Sequence, residues 1–242
     1  MAAGDIDQTA DAEAARYSGL AVLVAARNEA DTIGPSVTAL KAAFPGATVW
    51  VGDDGSDDGT GDLALAAGAR VISRNRPHGK GGNMTACAEA MLSDPEPATM
   101  VLLCDADLAD SAGQLGKLVD AVEADECDLA VAAFASRVGG GFGVALGFSA
   151  WVIRKRCGAE PIAPISGQRA MRPELLRVVL PFAPAYGMET AMTIDAVNAG
   201  YRLGEYELDL AHRATGRTLR GFIHRFRQMV DFGKVYLSRR HR

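Results

Sequence analysis

The chain has 242 residues, 48% of them hydrophobic and only 6% aromatic, with a formal net charge of −5. That length supports one sizeable core, and that charge excludes a general nucleic-acid binder. Cys87, Cys104, Cys127 and Cys157 show neither C-x-x-C nor zinc spacing, and sit as small apolar residues of a reduced, cytoplasmic protein would.

Residues 1–18 are acidic and Ala-rich and read as a disordered leader without the apolar region of a signal peptide. Residues 20–25 (LAVLVA) form a short apolar run, the pattern of a strand buried on both faces. Arg27-Asn28-Glu29-Ala30-Asp31 follows, then a helical stretch to about Ala43 that Phe44-Pro45-Gly46 stops. Residues 48–51 (TVWV) read as a second strand, followed by the turn-rich GDDGSDDGT and a helix to about Ala67, with Gly68 at the C-cap position. A third strand covers residues 70–73. The Gly-rich turn His78-Gly79-Lys80-Gly81-Gly82 then opens a helix reaching about Leu92.

Residues 100–104 read as the fourth strand, residues 111–124 as a helix and residues 128–134 as a fifth strand. This alternation predicts an α/β fold, a mostly parallel, Rossmann-like sheet flanked by helices in a single domain from residue 19. The second half is less regular. A Gly-rich segment (139–147) precedes a helix over 150–156, PIAPISGQRAM spans 161–171, and helices are expected over 173–179 and 188–199, the latter closed by Gly200. Residues 201–209 read as a strand. From Arg213 onward, nine Lys/Arg stand against one acid, Asp231, on a helix-spaced tail. Such a tail is either a solvated basic helix or a site for an anionic partner.

The polar motifs all follow strands, and in open parallel sheets the ligand crevice lies beyond the carboxyl ends of the strands. Glu29, Asp53, Asp54, Lys80, Asp105 and Asp107 are therefore expected to converge. VGDDGSDDGT has two readings: an Asp/Gly turn with a helix cap, or a nucleotide site in which a carboxylate accepts hydrogen bonds from a base or ribose. HGKGGN is not a Walker A loop, since neither Ser nor Thr follows Lys80, but it allows close backbone approach at a helix start and adds a cation. In VLLCDADLAD an apolar strand ends in two carboxylates that repel one another. A divalent ion resolves that repulsion, because Mg²⁺ or Mn²⁺ is held by one or two carboxylates together with substrate phosphates.

Taken in order, VLVAARNEADTIG (22–34), VGDDGSDDGT (51–60), GKGGN (79–83), DADL (105–108), SGQRAM (166–171), GMETAMTIDAVNAGYRLGE (187–205) and HRATGRTLRGF (212–222) resemble a family 2, GT-A-type glycosyltransferase. The later segments look most like polyprenyl-phosphate sugar synthases of the dolichyl-phosphate mannose synthase type. GKGG and the His-Arg pair look more like glucosyl-3-phosphoglycerate synthase.

The resemblance implies roles. Residues 19–110 would form the nucleotide-sugar half and residues 111–242 the acceptor half with the basic C-terminal helix. Ala25, Arg27, Glu29, Asp53, Asp54, Gly79, Lys80, Asp105 and Ala106 would line the donor site, joined by Arg213 and Arg217. Asp107, His212 and Asp105 would hold Mg²⁺ or Mn²⁺. Asp105, Asp107, Glu189, Arg137 and Arg169 would form the catalytic set, the two arginines meeting phosphates that a guanidinium binds bidentately. Glu189 sits where related enzymes place a carboxylate near the acceptor; its other reading is a helix N-terminal acid. Ala109 and Leu219 depart from the polyprenyl-phosphate pattern, which bears on the acceptor more than on the reaction.

The expected function is metal-dependent transfer from a UDP- or GDP-sugar to a phosphorylated acceptor, polyprenyl phosphate preferred. The alternative acceptor is small and soluble, such as phosphoglycerate. Peripheral contact with the inner face of the cell membrane is expected through residues 138–156 and the basic C-terminus; a homodimer is a further reading. Two competitors rank lower. A non-catalytic sugar-nucleotide-binding protein would not need the Asp pair, and a nucleotidyltransferase would show a Gly-rich N-terminal loop that is missing here.

Overall fold

The computed structural model describes residues 14–107, 109–134, 143–210 and 219–239. Strands β1 (Leu20–Ala26), β2 (Thr48–Asp53), β3 (Arg70–Ser73) and β4 (Met100–Asp105) are parallel neighbours in the order β3-β2-β1-β4. Beyond β4 the sheet continues through β6 (Arg169–Met171), β5 (Leu129–Phe134) and β7 (Leu203–Leu208), giving seven strands in a single α/β domain. β6 alone runs antiparallel, between β4 and β5, while β5 and β7 are parallel.

The apolar runs are continuous because each strand is covered on both faces. In β1, Val22 and Val24 join one layer while Ala21 and Leu23 join the other. The first layer is built on helix α1 (Ile33–Ala43), through Ile33, Val37 and Leu40, and on Leu118 and Val122 further along the chain. The second is built on helices further along the chain. After α2 (Thr60–Ala66) comes α3 (Gly79–Leu92); α4 (Gly116–Glu123) and α5 (Gly143–Cys157) lead to α6 (Pro173–Val179) and α7 (Met188–Asn198). Met84, Leu175 and Met192, from α3, α6 and α7, pack on this face. A third cluster joins α5 and α7 to α8 (Leu219–Ser238) through Val152, Ile194, Phe232 and Val235.

Several expectations are corrected. β6 is read from the sequence only as part of an irregular segment; three residues opening on an arginine carry no strand pattern. The helix expected over 111–124 begins as a 3-10 stretch, Ala109–Leu115, and becomes α-helical at Gly116. α5 begins at Gly143, within the Gly-rich segment, because Ala145 and Ser149 are buried against the body. Residues 16 and 17, expected within the leader, pack on the body instead. Tyr17 packs edge-on against Phe44, ring centroids 5.2 Å apart, and Arg16 pairs with Asp120 and Glu123.

Candidate active site

β1 and β4 lie side by side, and the chain leaves them toward opposite halves of the sheet. That is the switch point at which an open α/β sheet forms its crevice. At this edge Gly52, Ala25 and Asp105 lie in register on β2, β1 and β4, with Ala26 and Asp53 one step further. β6 enters antiparallel, Arg169 opposite Leu103, so the preceding Ser166-Gly167-Gln168 arrives at the same edge.

Strand alternation decides which carboxylate faces which layer. Cys104 packs into the layer of α1, so Asp105 faces the layer of α3 and α7. Lys80, in the first turn of α3, donates from Nζ to Asp105 Oδ1 at 2.7 Å and lies 2.7 Å from Glu189 Oε1 in the first turn of α7. The Lys80 side chain is 27% exposed and that of Glu189 only 7%. Burial alone would lower the Lys80 pKa, but Asp105 and Glu189 outweigh it and hold the ammonium above the usual lysine range. The charge between the two acids is thus permanent.

The other Asp105 oxygen, Oδ2, accepts from Gln168 Nε2 at 3.0 Å, and Gln168 Oε1 in turn accepts from Ser166 Oγ at 3.1 Å. Gly167 lets the segment pass close beside them. A Cβ there would lie 2.6 Å from Asp105 Oδ2 and 2.8 Å from Lys80 Nζ. Gly81 has a similar reason: α3 rests on the backbone of Ala183, whose carbonyl oxygen a Cβ would meet at 1.8 Å. Of these, Gln168 and Gly167 carry no sequence signal of their own beyond lying in the quoted SGQRAM segment, since an amide becomes a carboxylate's partner only through the fold.

The acids at the end of β2 accept hydrogen bonds from the backbone around them. Asp54 is 3% exposed and accepts from the backbone N–H of His78 at 2.7 Å and of Gly79 at 2.9 Å. It caps α3 from another segment, using both oxygens, which is the geometry of the cap reading. Asp53 Oδ1 accepts from Ser56 N at 3.1 Å and from the Ser56 hydroxyl, closing an Asx-type turn. Glu29 is half-buried; its carboxylate accepts from Thr32 Oγ1 at 2.8 Å, and its N–H donates to Thr60 Oγ1 at 2.8 Å. Arg27 is exposed, and Ala25 and Gly79 are half-buried.

Arg169 is 1% exposed, and its guanidinium donates to Ser166 O at 2.8 Å, Thr193 Oγ1 at 2.9 Å and Pro164 O at 3.4 Å. Burial lowers its pKa to about 10 against the opposing pull of Glu189 and Glu205. Its donors are thus taken up by interior acceptors, and the guanidinium braces residues 164–166 against α7. Arg137, His212, Arg213 and Arg217 lie outside the described residues.

Among the described residues no group of three His, Cys, Asp or Glu side chains forms a metal cage. The half-buried Asp107, two residues beyond β4, and Asp105 instead offer hard oxygen donors of the kind Mg²⁺ and Mn²⁺ share with phosphates. Asp105 is already held through both oxygens. Likewise, no helix among the described residues is long and apolar enough to cross a membrane.

Residues 21–173 match the family model described as glycosyl transferase family 2. No curated protein matches the sequence. Among solved structures, glucosyl-3-phosphoglycerate synthase from Mycobacterium tuberculosis in complex with Mn²⁺, UDP and glucosyl-3-phosphoglycerate is 26% identical over 93% of this chain and 81% of its own, with a TM-score of 0.72. The same synthase with Mn²⁺, UDP-glucose and glycerol 3-phosphate is 28% identical over 96% and 83%, with a TM-score of 0.72. With Mg²⁺ and UDP it is 27% identical over 96% and 82%, with a TM-score of 0.73.

Proposed function

The chain belongs to glycosyl transferase family 2, and from that premise we propose that it moves a sugar from a UDP-sugar to a small phosphorylated acceptor with Mn²⁺ or Mg²⁺ as cofactor. The observation that carries the reading is the placement of Lys80 between Asp105 and Glu189 at the β1/β4 switch point. A cation, a carboxylate pair and a helix N-terminus meet there, where a diphosphate leaving group needs its charge neutralised. The similar synthase is seen in complex with UDP and Mn²⁺ or Mg²⁺, and with UDP-glucose beside phosphoglyceric acid or glycerol 3-phosphate.

Asp107 would hold the metal directly, with His212, and Asp105 would share its charge between the metal and the donor. The bound ion would serve as Lewis acid on the leaving diphosphate. Lys80 neutralises the edge and fixes Asp105 with Gln168. Glu29, Arg27 and Ala25 flank the nucleoside end, and Arg213 and Arg217 would complete the donor's phosphate contacts. Glu189, held by Lys80 at the start of α7, is the carboxylate on the acceptor side, where it positions an acceptor hydroxyl or takes its proton. An acceptor phosphate, already ionised near neutral pH, would be met by Arg137. Residues 19–110 supply the donor side and residues 111–242 the acceptor side, with Gln168 and Glu189 reaching across. Four free cysteines support a reducing, cytoplasmic setting.

The polyprenyl-phosphate acceptor and its membrane seat draw on the exposed Val144 and part-exposed Trp151 of α5. The basic end of that helix is partly engaged: Arg156 lies 3.6 Å over the Tyr236 ring, and Arg154 pairs with Glu160 at 3.6 Å. The reaction as proposed requires neither a membrane nor a homodimer. The test is transfer of label from UDP-[¹⁴C]glucose with Mn²⁺ to phosphoglycerate or polyprenyl phosphate, followed by solvent partition. Water-soluble, phosphatase-sensitive product supports the small acceptor; label only in the organic phase overturns it.

A further inference from the structure

Gly167 and Gln168 touch Asp105 and Lys80 from a loop whose other end is held by groups that the reaction does not use. Glu205 lies on β7, the edge strand, and Arg169 on β6. Leu103, Arg169, Val131 and Glu205 are neighbours in one row across β4, β6, β5 and β7. Residues directly opposite one another share a face, and Leu103 and Val131 pack into the layer of α3 and α7. Arg169 and Glu205 therefore stand on that same face, with opposite charges.

Both hydrogen-bond to residues 162–166. Glu205 Oε2 accepts from Ile162 N at 2.7 Å and Oε1 from Ala163 N at 2.6 Å. Arg169 donates to Pro164 O and Ser166 O, and its third bond, to Thr193 Oγ1, reaches α7 one turn beyond Glu189. Thr193 Oγ1 itself donates to Glu189 O at 3.2 Å. The loop is thus held at its N–H groups by an anion and at its carbonyls by a cation, immediately before the residues that meet Asp105.

We propose that Glu205 is a positioning residue for the donor site: with Arg169 it clamps residues 162–166 so that Gly167 and Gln168 are delivered to Asp105 and Lys80. This rests on the reading of the Asp105 edge as the nucleoside-diphosphate site. Glu205 touches none of the reacting groups. It acts through the loop, as outer partners of a binding site do when they fix the inner ones.

The experiment is titration calorimetry of UDP with Mn²⁺ into the wild type, Glu205→Ala, Glu205→Gln and Tyr206→Phe, with steady-state kinetics and thermal melts of each. Tyr206 is the adjacent β7 residue and bonds Glu126 away from the loop, so Tyr206→Phe reports what general damage to this strand does. The clamp predicts that Glu205→Ala weakens UDP binding and raises donor KM by about tenfold or more. Glu205→Gln, which keeps one acceptor oxygen, should fall between, and Tyr206→Phe should leave UDP affinity unchanged. Should Glu205→Ala not fold, Glu205→Gln decides alone. Wild-type UDP affinity in the folded Glu205 variants, whatever their melting points, overturns the clamp and leaves the donor site standing. A wild type that binds no UDP overturns the donor-site reading, and the clamp falls with it.

Discussion

Lys80 and Glu189 come from opposite halves of the chain and meet at 2.7 Å, with Asp105 at the same distance on the other side of the ammonium. The two carboxylates stay together because the cation between them offsets their repulsion. Removing it leaves two acids facing one another in a largely buried site. Lys80→Met is expected to cost about 10²–10³-fold in kcat. It should also lower stability by about 2 kcal/mol, less than the usual cost of breaking a fully buried pair because Lys80 keeps some exposure. Steady-state kinetics and denaturant melts check both.

The same triad sets a pH expectation. The folded-state pKa of Lys80 is raised. Its contribution to stability is therefore present in full below the unfolded lysine value, about 10.4, and is lost only as pH rises through the higher folded value. The difference in melting temperature between wild type and Lys80→Met should stay constant from about pH 7 to pH 9.5. A difference that shrinks across that window would mean that Lys80 titrates early.

Asp54 separates the cap from the nucleoside ligand. Asp54→Ala removes the acceptor for His78 N and Gly79 N. It should destabilise the protein by about 1 kcal/mol, as loss of a helix cap does. Unchanged stability together with lost UDP affinity would restore the ligand role.

Arg169→Leu should lower stability by about 3 kcal/mol, since it leaves the carbonyls of Pro164 and Ser166 without their donor and removes a buried positive charge near Glu189 and Glu205. Chemical denaturation measures this. A phosphate-binding arginine facing solvent would show the opposite pattern, with normal stability and a raised KM.

Gly167→Ala places a methyl group against Asp105 and Lys80. The expected loss in kcat/KM is at least about tenfold, equivalent to about 1.4 kcal/mol of transition-state stabilisation. Unchanged kcat/KM would show that the Lys80–Asp105 contact is not needed for turnover.

The parts of this site that sequence patterns reveal are those built from local signals. LAVLVA and MVLLC are legible as buried strands because every residue is apolar, and Asp105 and Lys80 are legible because acids and glycines follow such runs. β6 is hidden because three residues have no period, and the antiparallel insertion beside β4 is decided by the sheet around it. The surroundings of Arg169 are hidden for the same reason: the carbonyls of Pro164 and Ser166 and the hydroxyl of Thr193 are brought to it by the fold. Asp54 could be read either as cap or ligand, and only the distant backbone of His78 and Gly79 decides its geometry. Gln168 reaches Asp105, and Glu205 the N–H groups of Ile162 and Ala163, only through long-range packing.

The central claim is that the edge formed by Asp105, Asp107 and Lys80 binds a nucleoside diphosphate with a divalent ion. It is tested most directly by titrating UDP into the protein with and without Mn²⁺, for the wild type and Asp107→Asn. Binding should depend on Mn²⁺ in the wild type and be lost or severely weakened in the variant. Wild-type protein that binds no UDP under either condition, or an Asp107→Asn variant that retains full Mn²⁺-dependent binding, would contradict it.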